Sequence, residues 1–509
     1  MNAASPTSQA GEESPKATTA APTAQASLGT RVFQNTAAQL IGRVIGIGFS
    51  AATSILLARY LGREKLGEYG AIYAYLALYG FLASFCLEQI LAREISVRRP
   101  QAAEIFRTGT LTALGFSVLG LFIAPLAGPL FGYGGALRWL IAIAAVDLLV
   151  LPPLRFSGII FQVEMRLWYN VVIALVRQAM WLAAVVLLAL RSAAFYEVII
   201  ARTIVGILEA VIVVWTVKRV GLVQGKPRFI ASEAKMMLRE GFPLVVMMLA
   251  VQIYHRIDQV MLHKMSGDLV LGPYVIAVQL TELFSALPIT LMISLFPALA
   301  VSARDEKRFT GYLSETYRFL MLIVFAACAL VTPVATPLIT AFYGAQYLPT
   351  AGLLIILIWS EVPVFFGVVL SNALVAKGIQ KFTAYGAVAG AIANVLLNML
   401  LIPRYGPMGA CWATVVSYSI AGMLFPMLIP EVRPVIWLGL KIAFRPFLLA
   451  LAIEVGLHYL TVAIPWKLLL AAVAFVGGSL LTGAVRRRDV ERLIEMAKLR
   501  RSHKQVGAT

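Results

Sequence analysis

The stretch from Arg31 to Pro100 reads RVFQNTAAQLIGRVIGIGFSAATSILLARYLGREKLGEYGAIYAYLALYGFLASFCLEQILAREISVRRP and contains two long apolar runs joined by a polar hinge, Arg59 to Glu68. A transmembrane helix needs about 20 apolar residues, because each residue adds about 1.5 Å and the hydrocarbon core is about 30 Å thick. Both runs are long enough. The stretch therefore predicts two helices that cross a membrane as a hairpin.

The hinge recurs 205 residues later in the chain. Five of its positions return as the same or a similar residue, so that Arg59, Gly62, Leu66, Gly67 and Tyr69 correspond to Lys264, Gly267, Leu271, Gly272 and Tyr274. An internal repeat of this length indicates that the chain contains its own first half twice.

The composition is that of an integral membrane protein. Of the 509 residues 60% are hydrophobic and 13% are charged, and the mean hydropathy is +0.84, whereas about 25% of a soluble chain is charged. The net charge of +18 comes from basic residues in short loops, which is a topology signal and predicts no nucleic-acid partner. The three cysteines and four histidines are scattered, so we expect neither a disulfide framework nor a metal site.

Fourteen apolar runs can be read along the chain. They predict a disordered tail at 1–30, a first lobe of helices 1–6 at 31–217, a cytoplasmic linker at 218–240, a second lobe of helices 7–12 at 241–430, helices 13 and 14 at 431–485, and a basic cytoplasmic tail at 486–509. If the N-terminus is cytoplasmic, 27 basic residues lie inside and eight lie outside. This excess places both termini in the cytoplasm and requires an even number of spans.

The predicted fold is an all-α integral membrane protein with about 14 transmembrane helices. Because each copy of the repeat has six helices, both copies enter the membrane in the same direction and should be related by a pseudo-two-fold axis along the membrane normal. The two six-helix lobes would face each other across a central cavity, with two C-terminal helices appended. Repeats of this kind are typical of transporters whose lobes rock.

Three stretches resemble a known family: ARYLGREKLGEYG (58–70), RIDQVMLHKMSGDLVLGPY (256–274) and LIPRYGPMGACWATVVSY (401–418). They are similar to parts of the Wzx-type polysaccharide flippases of the multidrug/oligosaccharidyl-lipid/polysaccharide exporter superfamily. The resemblance implies alternating access and transport of undecaprenyl-pyrophosphate-linked oligosaccharide from the cytoplasmic to the outer leaflet of a bacterial inner membrane. It implies a transporter and not an enzyme, with membrane lipid, a polysaccharide polymerase and chain-length proteins as further partners.

The same resemblance implies that transport is driven by a proton or sodium gradient or by the membrane potential, and that it needs no cofactor. The sequence agrees in one respect, since it contains no GxxxxGK[ST] phosphate-binding loop.

Arginines within the apolar runs are candidates for binding the pyrophosphate of such a cargo. Each costs about 2.5–3.5 kcal/mol to insert at the centre of a span, so such residues are usually functional or paired. The candidates for a cationic cavity are Arg43, Arg177, Arg202 and Arg256. An alternative for Arg43 and Arg177 is pairing with Asp147 or Glu88 to fix helix packing, and for Arg202 it is an indirect pairing with Glu209, two turns later near the end of the helix.

Arg43 lies in GRVIG, which resembles an SRVLG-like string in the first helix of the related lipid II flippases. Arginines line the cavity of those proteins, and this position is carried over on that match. However, the Arg-Asp pair that follows in lipid II flippases is Phe49-Ser50 here, which weighs against lipid II as the cargo.

Carboxylates within the runs are candidates for ion coupling, because a desolvated carboxylate can take up and release a proton as access changes. The candidates are Asp258, Glu282, Asp147 and Glu361. Asp258 also matches an aspartate that the resembling family often carries, and a salt bridge to Arg256 is its alternative role. The candidates for contacting the glycan are Asn372, Asn394 and Asn398, which would serve equally well as hydrogen-bonding residues between helices.

Other functions fit the sequence less well. A multidrug or small-cation exporter of the same superfamily would share the lobes, but it typically lacks helices 13 and 14 and favours an acidic cavity. A membrane glycosyltransferase would need catalytic carboxylates on a large loop, and the sequence has neither a DxD string nor such a loop. A membrane scaffold that transports nothing would not explain why half of the chain is repeated with charged residues inside its spans.

Overall fold

The computed structural model describes residues 22–164, 166–220, 228–460 and 463–483, and within them all regular structure is helical. The α-helices of these ranges are α1 (Pro22–Ala77), α2 (Gly80–Ser84), α3 (Glu88–Val97), α4 (Ala102–Ala127), α5 (Gly135–Ala144), α6 (Asp147–Val163), α7 (Trp168–Leu190), α8 (Phe195–Val220), α9 (Ala231–Ser266), α10 (Asp268–Ser302), α11 (Glu306–Val331), α12 (Ala335–Phe342), α13 (Pro349–Ala376), α14 (Lys381–Tyr405), α15 (Pro407–Ser419), α16 (Arg433–Tyr459) and α17 (Ile464–Leu481).

Thirteen helical stretches of the described ranges are long and apolar enough to cross a membrane. The first of them, Ile41–Ala77, bends at Gly62, where the backbone is not helical (φ 70°, ψ 178°). The segment after Gly62 continues through α2 and α3 as the predicted second span. Counted separately, it brings the total to the predicted fourteen, and the predicted fold class is confirmed.

The ends of the predicted segments differ from the helix bounds. Helix α1 begins at Pro22, inside the predicted tail of 1–30, and α9 begins at Ala231, inside the predicted linker of 218–240. Residues 1–21, 221–227 and the predicted basic tail at 486–509 lie outside the described ranges.

The internal repeat appears in the backbone as two equivalent bends. Gly267, the counterpart of Gly62, has φ 81° and ψ 170°. A positive φ is readily adopted by glycine, which has no Cβ. We refer to helices α1 to α8 as the first lobe and to helices α9 to α15 as the second. We call the end of the bundle that carries the two bends the hinge face.

At the hinge face the two lobes touch through glycine. A Cβ built on Gly67 would lie 2.0 Å from the carbonyl oxygen of Asp268, and one built on Gly272 would lie 2.0 Å from that of Arg63. Asp268 follows Arg63 by the same 205 residues that separate the glycines. The two contacts are therefore exchanged by the pseudo-two-fold axis, which passes between α1 and α10.

Helix α9, the first helix of the second lobe, packs against both lobes. Its first turns pack on the first lobe, where Met237 lies in an apolar cluster with Leu87 and Ile90, and Glu233 accepts two hydrogen bonds of 2.8 Å from Arg98. Its later turns pack on α14 and α15 in the second lobe. We call the end of the bundle that carries Arg98 and Glu233 the tail face.

The second span is broken between α2 and α3. Phe85 and Cys86 have φ of 47° and 53°, a left-handed conformation that is strained for side chains of this size. The ring of Phe85 stacks on Phe116 at 4.5 Å between centroids, and its carbonyl lies 3.0 Å from the Cβ position of Gly241 on α9. Close packing on both sides holds the break in place.

Candidate functional site

Two adjoining cavities of 620 and 550 Å³ lie where the lobes face each other. Both are lined by α1, α7 and α10, and they share the side chains of Ser50, Gln178 and Glu282. We call them together the inter-lobe cavity. All four arginines predicted from the sequence line it: Arg177, Arg202 and Arg256 in the larger part and Arg43 in the smaller part.

Arg43 is positioned by the close packing of α1 on α7. Gly42 and Gly46 form a small-xxx-small pair, and such pairs let two membrane helices approach closely. A Cβ on Gly42 would lie 2.1 Å from Val171, and one on Gly46 would lie 3.1 Å from the amide oxygen of Gln178. Arg43, next to Gly42, projects into the opening between α1 and α10.

Across that opening Arg43 contacts the other lobe. Its Nη1 donates a hydrogen bond of 2.5 Å to Oγ1 of Thr290 on α10. Thr290 in turn donates to the carbonyl of Ala286 at 2.8 Å. Glu282, Ala286 and Thr290 are spaced by four residues and share one face of α10, so the cavity side of this helix carries one carboxylate and one hydroxyl.

The four arginines differ in how their charge is balanced. Arg177 pairs with Glu209 at 3.2 Å, and Arg256 pairs with Glu282 at 3.0 Å. Arg43 has no carboxylate within 4.0 Å among the residues that the structure describes. It is also exposed to the cavity, so it is the arginine best placed to receive an anionic ligand.

Arg202 is held among aromatic rings. Its guanidinium lies 4.8 Å from the ring centre of Tyr73 and 5.3 Å from that of Trp181, distances typical of cation–π contacts. A carboxylate oxygen of Asp147 lies 3.3 Å from the Cβ position of Gly206 on the same helix as Arg202. This oxygen is buried and has no hydrogen-bond partner within the described part of the chain.

The ion pairs that the sequence suggested for helix packing do not form among the described residues. Arg177 pairs with Glu209 rather than with Asp147 or Glu88, and Glu88 instead pairs with Arg155 at 2.9 Å. No ion pair forms between Asp258 and Arg256 in the described chain, because Arg256 is turned to Glu282.

Two of the candidate coupling carboxylates are buried in the second lobe. Asp258 is 3% exposed and accepts hydrogen bonds from the hydroxyl of Tyr274 and, at 2.7 Å, from the backbone of Gln259. Glu361 is 2% exposed and accepts one bond of 2.7 Å from Ser285, while its other oxygen has no partner among the described residues. By contrast, Glu282 faces the cavity.

The candidate asparagines do not line the inter-lobe cavity. Asn394 and Asn398 are fully buried; Asn398 donates to Asn394 at 2.9 Å, and Asn394 donates to Ser417 at 2.9 Å. Asn372 donates to the carbonyl of Val368 in its own helix at 2.8 Å. The geometry is that of hydrogen bonds within and between helices of the second lobe.

The cavity is also lined by polar side chains that the sequence did not single out. The hydroxyl of Ser54 donates to Gln279 at 2.7 Å and lies 3.3 Å from the hydroxyl of Tyr343. A signal was present, because Arg43, Ser50 and Ser54 are spaced by seven and four residues and so share one face of α1. The described residues contain no group of three or more His, Cys, Asp or Glu side chains that could hold a metal ion.

The chain is similar to known membrane transporters. It is 20% identical over 387 residues to the probable low-salt glycan biosynthesis flippase Agl15 of Haloferax volcanii, covering 75% of this chain and 80% of that protein. Its fold matches the lipid II flippase MurJ in an inward closed conformation with a TM-score of 0.69 at 19% identity, over 90% of this chain and 99% of that one.

A multidrug resistance MATE family transporter of the MOP superfamily, in its inward-facing conformation, matches with a TM-score of 0.59 at 14% identity, over 77% of this chain and 99% of the other. These two structural likenesses show that the chain has the fold of such transporters. The family described as polysaccharide biosynthesis protein matches residues 56–352, more than half of the chain. The protein therefore belongs to the polysaccharide biosynthesis protein family.

Proposed function

We propose that the protein is a flippase that moves undecaprenyl-pyrophosphate-linked oligosaccharide from the cytoplasmic to the outer leaflet of a bacterial inner membrane by alternating access. The observation that carries the proposal is Arg43, an exposed guanidinium at the opening between α1 and α10 that no described carboxylate neutralises. The similarity to a probable glycan biosynthesis flippase supports the same class of cargo.

The pyrophosphate is the part of the cargo that Arg43 would bind. A guanidinium offers paired N–H donors that match phosphate oxygens, and such charge-assisted bonds are about twice as strong as neutral ones. The hydroxyl of Thr290, which now accepts from Arg43, would be replaced by phosphate oxygens. Arg256 would be a second ligand if the incoming anion displaced Glu282.

The glycan would occupy the larger part of the cavity. Gln178, Gln279 and Ser54 supply amides and a hydroxyl there, which can exchange hydrogen bonds with sugar hydroxyls. Trp181 and Tyr73 add aromatic faces. The polyprenyl chain would remain in the bilayer beside the opening between α1 and α10, where the lining side chains Leu167, Ile293 and Val171 are apolar.

We propose a proton or sodium gradient, or the membrane potential, as the driving force. Asp258 and Glu361 are the buried carboxylates that could be neutralised by a proton or a cation, and Glu282 and Asp147 adjoin the arginines of the cavity. Asp258 is the strongest candidate because hydroxyl and backbone donors fix its position.

The orientation with both termini in the cytoplasm remains part of this proposal. It places the hinge face at the outer surface and the tail face at the inner surface. The polymerase and chain-length proteins of polysaccharide synthesis would then meet the cargo after it leaves at the hinge face.

Two alternatives make different predictions. A lipid II flippase has the same fold, but Phe49-Ser50 replaces the Arg-Asp pair of that family, and Ser50 lines both parts of the cavity. A small-cation exporter also has this fold. Its cargo would be repelled by an unpaired Arg43.

The experiment is transport in proteoliposomes. Fluorescent undecaprenyl-pyrophosphate oligosaccharide, lipid II and a small organic cation are compared as cargo, with and without an imposed proton or sodium gradient. Loss of a hydrogen bond to a charged group costs about 1.5–3 kcal/mol, so we expect Arg43→Ala to weaken cargo binding about 10- to 150-fold. Arg43→Lys should retain part of the affinity, because it keeps the positive charge but lacks the paired N–H donors of the guanidinium.

Arg308→Ala is the matched control, since that side chain is 78% exposed and does not line the inter-lobe cavity. If the oligosaccharide stays in its leaflet while the organic cation crosses, the flippase proposal fails and the exporter takes its place. If only lipid II moves, the class of cargo is wrong.

A further inference from the structure

Arg59, at the start of the first hinge, reaches across to the second lobe. Its Nε and Nη2 donate to the carbonyls of Phe342 and Ala341, at 2.7 and 2.8 Å. These carbonyls belong to the last turn of α12, where a helix leaves its acceptors unpaired and carries a partial negative charge. A cation is the favoured partner for such a helix end.

Lys264, at the start of the second hinge, makes the equivalent contact in the other direction. Its Nζ donates to the carbonyl of Leu130 at 2.8 Å. Leu130 lies in the short 3₁₀ segment Gly128–Phe131 that ends the span begun by α4 in the first lobe. Lys264 follows Arg59 by 205 residues, so each lobe places the same hinge position on a helix end of the other.

The same two hinges that carry Arg59 and Lys264 also carry the glycine contacts of the hinge face. Between them, Gly67 meets Asp268 and Gly272 meets Arg63, and the hydroxyl of Tyr347 donates to the carbonyl of Ala58 at 2.8 Å. Ser54, which lines the inter-lobe cavity, lies five residues before Arg59 on α1. The hinge face therefore closes the cavity by reciprocal contacts between lobes.

We propose that Arg59 and Lys264 are the two gating residues of the hinge face, and that both contacts must release for the cavity to open there. The assignment of this face as the exit for cargo rests on the proposed function. Both side chains are exposed, and their acceptors are neutral carbonyls that water can satisfy after release. The contacts are thus suited to repeated breaking and forming.

The pseudo-symmetry gives the proposal a quantitative form. Because the two contacts are equivalent, losing either one should favour the open state to a similar extent, and the two effects should multiply. A contact that only stabilised one lobe would not behave in this way. Conservative exchange should also be tolerated, since Arg59→Lys and Lys264→Arg keep a cation at each helix end.

The test is the reactivity of Ser54→Cys toward a membrane-impermeant maleimide added to the outside of intact spheroplasts. The native Cys86, Cys328 and Cys411 are buried, and protein without the introduced cysteine gives the background. We expect Arg59→Gln and Lys264→Gln each to raise the labelling rate about threefold to tenfold and the double variant to raise it by about the product. The charge-preserving variants should label at the unmodified rate.

Lys65→Gln is the matched control, because Lys65 lies in the same hinge but bonds to Glu68 of its own helix at 2.5 Å. The proposal is overturned if neither gating variant changes the rate, if Lys65→Gln raises it equally, or if labelling rises only from the cytoplasmic side. The assay needs no cargo, so it separates this proposal from the flippase assignment. If the labelling rate responds as expected but the oligosaccharide is not transported, the gating proposal holds and the proposed cargo is rejected.

Discussion

Gly272→Ala is the substitution whose effect follows most directly from the geometry. The added methyl group would lie 2.0 Å from the carbonyl oxygen of Arg63 in the other lobe, whereas ordinary contact begins near 3.4 Å. The lobes must therefore separate locally by about 1.4 Å. Forcing an extra methyl group into a packed contact costs about 1–3 kcal/mol, and here that cost falls on the state closed at the hinge face.

A cost of about 1–3 kcal/mol shifts the ratio of closed to open molecules by about 5- to 150-fold. Spin labels on Glu64→Cys and Leu269→Cys, exposed residues at equivalent positions of the two hinges, report the separation by double electron–electron resonance. We expect a new population at longer distance in Gly272→Ala. Gly67→Ala should give the same result, because its methyl group would meet Asp268 at the same 2.0 Å.

Gly115→Ala provides the comparison, since a Cβ at that helical position meets nothing within 4 Å. It should leave the distance distribution unchanged. If Gly272→Ala and Gly67→Ala both keep the distribution of the unmodified hinges, the close approach of the lobes at this face is not what limits their separation, and the reasoning is refuted.

Two other substitutions test the interior of the second lobe. Asn398→Leu removes the donor to Asn394 and leaves the buried side-chain carbonyl of Asn394 without its partner. The free energy of unfolding should therefore fall by about 1–3 kcal/mol. Thermal unfolding in detergent measures this change, and an unchanged midpoint would contradict it. Asp258→Asn keeps an acceptor for Tyr274 but removes the charge, so transport should lose its stimulation by an ion gradient while exchange of cargo at equilibrium continues. Proteoliposome flux with and without the gradient measures both rates, and stimulation that persists rejects Asp258 as the coupling group.

The sequence predicted the features that depend on local pattern. Apolar runs located the spans, and the repeated hinge predicted two equivalent connections, which the structure forms with bends at Gly62 and Gly267. The arginines in the runs were expected at a shared cavity, and they line it. These predictions required only hydrophobicity, spacing and the cost of burying charge.

The partners of those arginines could not be predicted in the same way. Glu209 rather than Asp147 pairs with Arg177. The asparagines of α14 share a helix face, as their spacing indicates, but that face packs on α15 and not on the cavity. Hydrophobicity alone does not orient a helix that is apolar on most sides.

Non-local geometry also determined the contacts of the hinge face. The sequence identified Arg59 and Lys264 as equivalent, but their acceptors at Ala341 and Leu130 lie on helix ends outside the repeated motif. The break at Phe85 and Cys86 had no sequence signal, because neither glycine nor proline occupies it. Tertiary packing sets such a conformation against local preference.

Helix α9 imposes a mechanical condition on any relative motion of the lobes. Its first turns are fixed to the first lobe by the Arg98–Glu233 hydrogen bonds and by Met237, and His255 in a later turn is hydrogen-bonded to Tyr418 of the second lobe at 2.9 Å. A rotation between the lobes therefore bends this helix. Pro243 removes a backbone hydrogen bond in the segment between Met237 and His255, so this is the part of the helix that bends with least resistance.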